Sequence, residues 1–144
     1  VCVSFWAQGC NLKCPGCHNA QTWDFNGGTE VTADTIPTII KAISKNGIQR
    51  NFSVLGGESL CPENRNFVLK LIQTVREVYP TIQIFLWTGY ELSELKEEND
   101  PTTNKILSLV DTLITGRFVL AERDITLPLR GSRNQKVLRK GEDF

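Results

Sequence analysis

Three cysteines impose the most demanding constraint on this chain. Cys10, Cys14 and Cys17 stand in a CxxxCxxC arrangement directly after an apolar run, and no fourth cysteine is near enough to complete the set. A closed structural zinc or iron–sulfur site takes four protein ligands, whereas three thiolates around a four-iron cluster leave one iron free to bind a substrate or cofactor. The spacing therefore points to chemistry at an open metal position, and the fold must present this loop where a ligand can reach it.

The 144 residues suit one domain, 1–144, with a single sizeable core. Sixteen basic residues against sixteen acidic ones leave no net charge, which disfavours nucleic acid and anionic membrane as partners. No apolar run approaches the roughly 20 residues that span a bilayer, so the chain reads as soluble and cytoplasmic. In a reducing compartment five cysteines point to metal binding or catalysis rather than bridging. Cys2 and Cys61, left over from the triad, read as buried apolar thiols.

The pattern along the chain is one of alternating strands and helices. Val1 to Trp6 is β-branched and aromatic and reads as a strand feeding into a cluster loop over 7–28, rich in Asn, Gly and Pro. Ile36, Ile39, Ile40 and Ile43 recur at helical spacing, with Thr32 as candidate cap and Asn46-Gly47 as stop. Asn51 to Leu55 reads as a strand, and Val68, Leu71, Ile72 and Val75 mark a helix ending before Pro80. Ile82 to Trp87 is apolar on both parities except Gln83, as in a parallel strand covered on both faces. Glu91 to Glu98 forms a short polar helix, Asp100-Pro101 starts the next, and Thr112 to Thr115 is a fourth strand. Beyond about 119 lies a basic, turn-rich extension to 144, with weak strand signals at Lys136 to Leu138. The expected class is an α/β parallel sheet whose strand ends gather the cysteine loop, Gly56-Gly57-Glu58, Trp87-Thr88-Gly89 and Thr115-Gly116-Arg117 on one edge.

Cys10-Asn11-Leu12-Lys13-Cys14-Pro15-Gly16-Cys17 resembles the cluster motif of the radical S-adenosylmethionine (radical SAM) superfamily, and Gly56-Gly57-Glu58 resembles its second motif. Gln8-Gly9-Cys10, Asn19, Thr22-Trp23 and Trp87-Thr88-Gly89-Tyr90 are similar to segments of the anaerobic ribonucleoside-triphosphate reductase activators, a resemblance that spans about residues 1–118 and continues weakly through Arg130-Gly131-Ser132-Arg133-Asn134-Gln135. It implies a shortened, partial (β/α) barrel, open laterally at its mouth. It further implies a 4Fe-4S cluster held by Cys10, Cys14 and Cys17, with S-adenosyl-L-methionine chelated to the fourth iron. Reductive cleavage of that cofactor would yield a 5′-deoxyadenosyl radical, which removes a hydrogen from a backbone glycine of the large reductase subunit. Implied partners are that subunit, a reductant such as flavodoxin or ferredoxin, and a second copy in a homodimer.

On this resemblance the cofactor would meet Gly56, Gly57 and Glu58 through its methionyl part, with Glu58 holding the ammonium, although related activators often carry Asp there. Trp87, Thr88 and Gly89 would flank the adenosine, and Arg117 would pair with a carboxylate of the cofactor or of a partner. Each has a plainer reading, Trp87 as core and Arg117 as a solvated charge. Three further readings stay open. One is an activator of another glycyl radical enzyme, similar to the pyruvate formate-lyase activator, which shares a Cys-His-Asn at 17–19. Another is a zinc-binding interaction module built from the triad with His18 or Cys61. The third is a ferredoxin, which would need a fourth cysteine at a familiar spacing.

Overall fold

A computed structural model of the chain describes residues 2–12, 14–17 and 23–144. Five strands form one sheet in the order β1-β2-β3-β4-β5. They are β1 Cys2–Ala7, β2 Asn51–Gly56, β3 Ile84–Trp87, β4 Thr112–Thr115 and β5 Lys136–Arg139. The first four run parallel, and β5 returns antiparallel to β4. The weak signal at Lys136 to Leu138 is thus a strand that reverses the sheet and sets the extension beside β4.

Four helices connect the parallel strands: α1 Thr35–Ile43, α2 Pro62–Val78, α3 Leu92–Glu98 and α4 Pro101–Leu109. Consecutive strand order with right-handed crossovers moves every connection the same way, which stacks all helices on one face. The core shows this directly. Phe52, Val54, Ile84, Leu86 and Leu113, alternate residues of β2, β3 and β4, pack in one cluster with Ile43, Val68, Leu71, Ile72, Val75, Leu95 and Ile106 from the helices.

Among the described residues, no α-helix lies on the opposite face. Phe85 and Trp87 point there, half-buried, so β3 is apolar on both parities without being roofed by helices on both sides. The same geometry corrects the reading of Cys2. With Ser4 and Trp6 it lies on the helix-free parity of β1, and it is exposed rather than buried. Trp6 itself is 51% exposed. Cys61 is fully buried, as expected.

Local chemistry sets the element ends. α1 begins at Thr35 with Asp34 in the cap position, past the expected cap Thr32. The Thr32 hydroxyl instead accepts the Asp34 N–H at 3.3 Å, closing a turn before the helix. Asn46 (φ 60°) and Gly47 (φ 73°) take the left-handed turn that stops α1. Glu91 and Glu94 form a reciprocal capping box on α3, and Asp100 accepts the Thr103 N–H at 2.9 Å ahead of Pro101.

Asp111 ties the sheet to α2. Its Oδ2 accepts the Ile84 N–H at 2.9 Å and Arg76 Nη2 at 2.6 Å, and its carbonyl accepts the Lys140 N–H at 3.0 Å. Asp111→Ala leaves the Ile84 donor unmet and takes the counter-charge from Arg76, which keeps its bonds to the Pro80, Ile82 and Leu109 carbonyls. We expect it to cost about 1–3 kcal/mol, read as a lower midpoint in chemical denaturation.

Candidate functional site

The carboxyl ends of β1 to β4 converge on a cavity of about 460 Å³. Cys10, Cys14 and Cys17 line it together with Gly56, Gly57 and Glu58, with Trp87, Thr88 and Gly89, and with Gly116. Four segments far apart in sequence therefore meet at one site, as the strand alternation anticipates. Its volume lies in the range of small-molecule sites.

The β1 and β2 ends are laced by backbone. Gly57 N–H donates to the Ala7 carbonyl at 2.8 Å and Glu58 N–H to the Gly9 carbonyl at 2.7 Å. Gly56 has φ 111°, and a Cβ there would collide with the Ala7 backbone, so only glycine lets β2 come this close to β1. A Cβ at Gly89 would strike the Leu12 side chain, which brings the β3 turn against the cysteine loop.

Within that loop, Cys10 N–H donates to the Trp23 carbonyl at 3.1 Å and Cys17 N–H to the Cys14 carbonyl at 3.1 Å. Cys10 is buried, while Cys14 and Cys17 are half-buried. Burial pushes the Cys14 thiol up, opposed by a hydrogen bond from the Phe118 backbone. Repulsion from Cys17 and Cys10 also raises it, whereas the charge of Arg117 lowers it. A cationic centre relieves a thiol raised in this way, because it binds the thiolate.

Glu58 is 1% exposed and fully committed within the protein. Its Oε2 accepts the Leu60 N–H at 2.9 Å and the Thr88 hydroxyl at 2.7 Å, and its Oε1 accepts the Gly89 N–H at 2.7 Å. Burial pushes its carboxyl up, and these three donors pull against that rise. The Glu58 side chain thus joins the β2 and β3 loops. Thr88 serves the same joint, and its hydroxyl also accepts the Tyr90 N–H at 3.2 Å.

Arg117 does not line the cavity. It makes two bonds to Glu94, at 2.9 and 3.3 Å, and its guanidinium lies 6.0 Å from the Tyr90 ring centroid. Trp87 does line the cavity, and its Nε1 donates to the Leu129 carbonyl at 2.7 Å, which draws the C-terminal extension over the opening. Ile125, Leu129, Arg130, Gly131 and Gln135 of that extension complete the wall. Composition shows the extension only as a basic, turn-rich tract; the one signal of its role is the resemblance at Arg130 to Gln135.

Cys61 is occupied elsewhere. Its thiol donates to the Glu58 carbonyl at 3.1 Å, and burial, with Glu63 nearby, pushes it up to about 12. His18, Asn19 and Thr22 lie outside the described residues. Among the described residues, no three His, Cys, Asp or Glu side chains are close enough to hold one metal ion. A cluster makes a different demand, because each thiolate binds its own iron. No helix among the described residues is long and apolar enough to cross a membrane.

A family model described as a 4Fe-4S single cluster domain matches residues 1–138. The chain is 36% identical over 135 residues to the anaerobic ribonucleoside-triphosphate reductase-activating protein of Escherichia coli (strain K12), covering 93% of this chain and 85% of that protein. Proteins of the same name from Vibrio cholerae serotype O1 and Enterobacteria phage T4 are 35% and 34% identical over 137 residues. Those matches cover 94% of this chain and 86% and 81% of the relatives.

Glu58→Gln offers one acceptor oxygen where three donors now converge on two, and its amide hydrogens face a donor in either orientation. We expect the cluster-free protein to lose about 1–3 kcal/mol, read from its thermal unfolding, because buried donors are left unmet.

Proposed function

The chain belongs to the family of anaerobic ribonucleoside-triphosphate reductase-activating proteins and carries a 4Fe-4S single cluster domain, and from that premise we propose that it is a radical S-adenosylmethionine activase that installs a glycyl radical on the large subunit of that reductase. The observation that carries this reading is the joining of three thiols, two strand-end glycine motifs and an internally satisfied carboxylate around one cavity.

The donor set fits a site-differentiated cluster. Cys10, Cys14 and Cys17 would each hold one iron, and no cysteine at a familiar spacing supplies a fourth ligand. Bound there, the cluster and cofactor would supply one chemistry: reductive cleavage of the sulfonium C–S bond by one electron from an external reductant, coupled to removal of a hydrogen atom from the target glycine.

The chain's own residues bind, orient and shield. Gly56 and Gly57 bring bare backbone to the methionyl end, and Glu58 acts by fixing that backbone against Thr88 and Gly89 rather than by offering a free oxygen. Trp87 lends the adenosine a wall, and Gly89 leaves room beside Leu12. Arg117 contributes from outside the lining, where its charge favours the Cys14 thiolate. The cavity's half-buried apolar walls, among them Leu55 and Phe118, limit the access of water to a reactive radical. Consecutive parallel order with helices on one face supports the partial (β/α) barrel architecture, whose uncovered face leaves space for a protein substrate.

The test is anaerobic reconstitution with iron and sulfide, followed by assay of reductive 5′-deoxyadenosine formation. We expect Cys10→Ala, Cys14→Ala and Cys17→Ala each to abolish it, with Cys2→Ala and Cys61→Ala retaining it. With an anaerobic ribonucleoside-triphosphate reductase present, electron paramagnetic resonance should show a glycyl radical doublet. Stoichiometric zinc without cofactor cleavage would refute the assignment.

A further inference from the structure

The segment from Arg130 to Gln135 is organised around one side chain. Gln135 Oε1 accepts the N–H groups of Gly131 and Ser132 at 2.8 and 3.1 Å, while its Nε2 donates to the Gly116 carbonyl at 3.0 Å. Asn134 Nδ2 donates to the Arg117 carbonyl at 2.8 Å. The segment is thereby fastened to the end of β4, and what it holds in place is Arg130.

Arg130 is the cationic side chain among the residues that line the cavity. Its Nη1 donates to the Gln135 carbonyl at 2.9 Å, but its Nε is buried without an acceptor among the described residues. The described residues form no ion pair with it, and Asp124 of the same loop is engaged by the Thr126 N–H and hydroxyl at 3.0 and 2.5 Å. A buried guanidinium edge with an unmet donor is a poor end state for a folded chain, and its geometry matches a carboxylate taken by two parallel bonds.

We propose that Arg130 binds the carboxylate of the methionyl group of S-adenosylmethionine, an inference that rests on the function proposed above. That cofactor carries an ammonium, a sulfonium and one carboxylate, so a guanidinium in its site has a single anionic group to meet. The other cation near the site, Arg117, is held by Glu94 outside the lining.

A mutant cycle in the ligand and the protein isolates this contact. Binding of S-adenosylmethionine and of its decarboxylated analogue is measured by anaerobic equilibrium dialysis, on cluster-loaded protein with the cluster oxidised so that no turnover occurs. Removing the carboxylate should weaken binding to the wild-type chain about tenfold more than it weakens binding to Arg130→Gln. Any chelation of iron by the carboxylate is common to both proteins and cancels in the ratio. Arg130→Lys keeps the charge without the fork and should fall between them; it decides the comparison if Arg130→Gln fails to load its cluster. Equal ratios in wild type and variant overturn the assignment of Arg130 while leaving the activase reading intact. A cluster-loaded wild-type chain that binds neither ligand overturns both.

Discussion

The buried carboxylate of Glu58 is the joint on which the site depends. A carboxylate with almost no access to water is stable only when its lone pairs are met by donors, and those donors must then stay where they are. Here they belong to Leu60, Thr88 and Gly89, so one charge fixes the turn after β2 and the turn after β3 to each other. The backbone of the same residue reaches Gly9, just ahead of the first cluster cysteine. Three loops that would otherwise move independently are thus referenced to one atom group, which is how a site on loops acquires the rigidity of the sheet beneath it.

The sheet imposes the complementary constraint. Because strand order follows chain order, all four helices accumulate on one face and the core there is continuous from Ile43 to Leu113. On the other face the C-terminal extension meets the sheet at β3, anchored from above by Trp87 and from the side by Gln135, and the β1 side stays bare. Leu129, whose carbonyl Trp87 holds, adopts φ 64°, a conformation disfavoured for a leucine.

Much of this architecture is legible in the sequence because local and tertiary signals agree. The helical spacing of Val68, Leu71, Ile72 and Val75, the Asp100-Pro101 start and the strand Thr112–Thr115 all survive into the structure, since each is both a good local former and a buried face. The meeting of the cysteine loop with Gly56-Gly57-Glu58 and Trp87-Thr88-Gly89 follows from the rule that parallel strands share an edge. What escapes is whatever depends on contacts distant in sequence. Cys2 looks like any small hydrophobe until the sheet is known to be bare on its side. The carboxyl group of Glu58 and the guanidinium of Arg117 are chemically apt for a ligand, yet their side-chain partners, Thr88 and Glu94, sit 30 and 23 residues away, beyond the reach of any periodicity. Gln135 as the clamp of the extension is hidden for the same reason.

Strand pairing also carries a kinetic reading. The registers join residues 27 apart in β3 with β4, 32 apart in β2 with β3, and 49 apart in β1 with β2. Loop-closure entropy rises with the logarithm of the intervening length, so docking β1 costs roughly 0.5 kcal/mol more than docking β4, before any contact offsets it. Proteins dominated by such distant pairings collapse locally first and complete their long closures late. The strand that delivers the three thiols therefore carries the largest closure cost among the parallel pairings of the sheet.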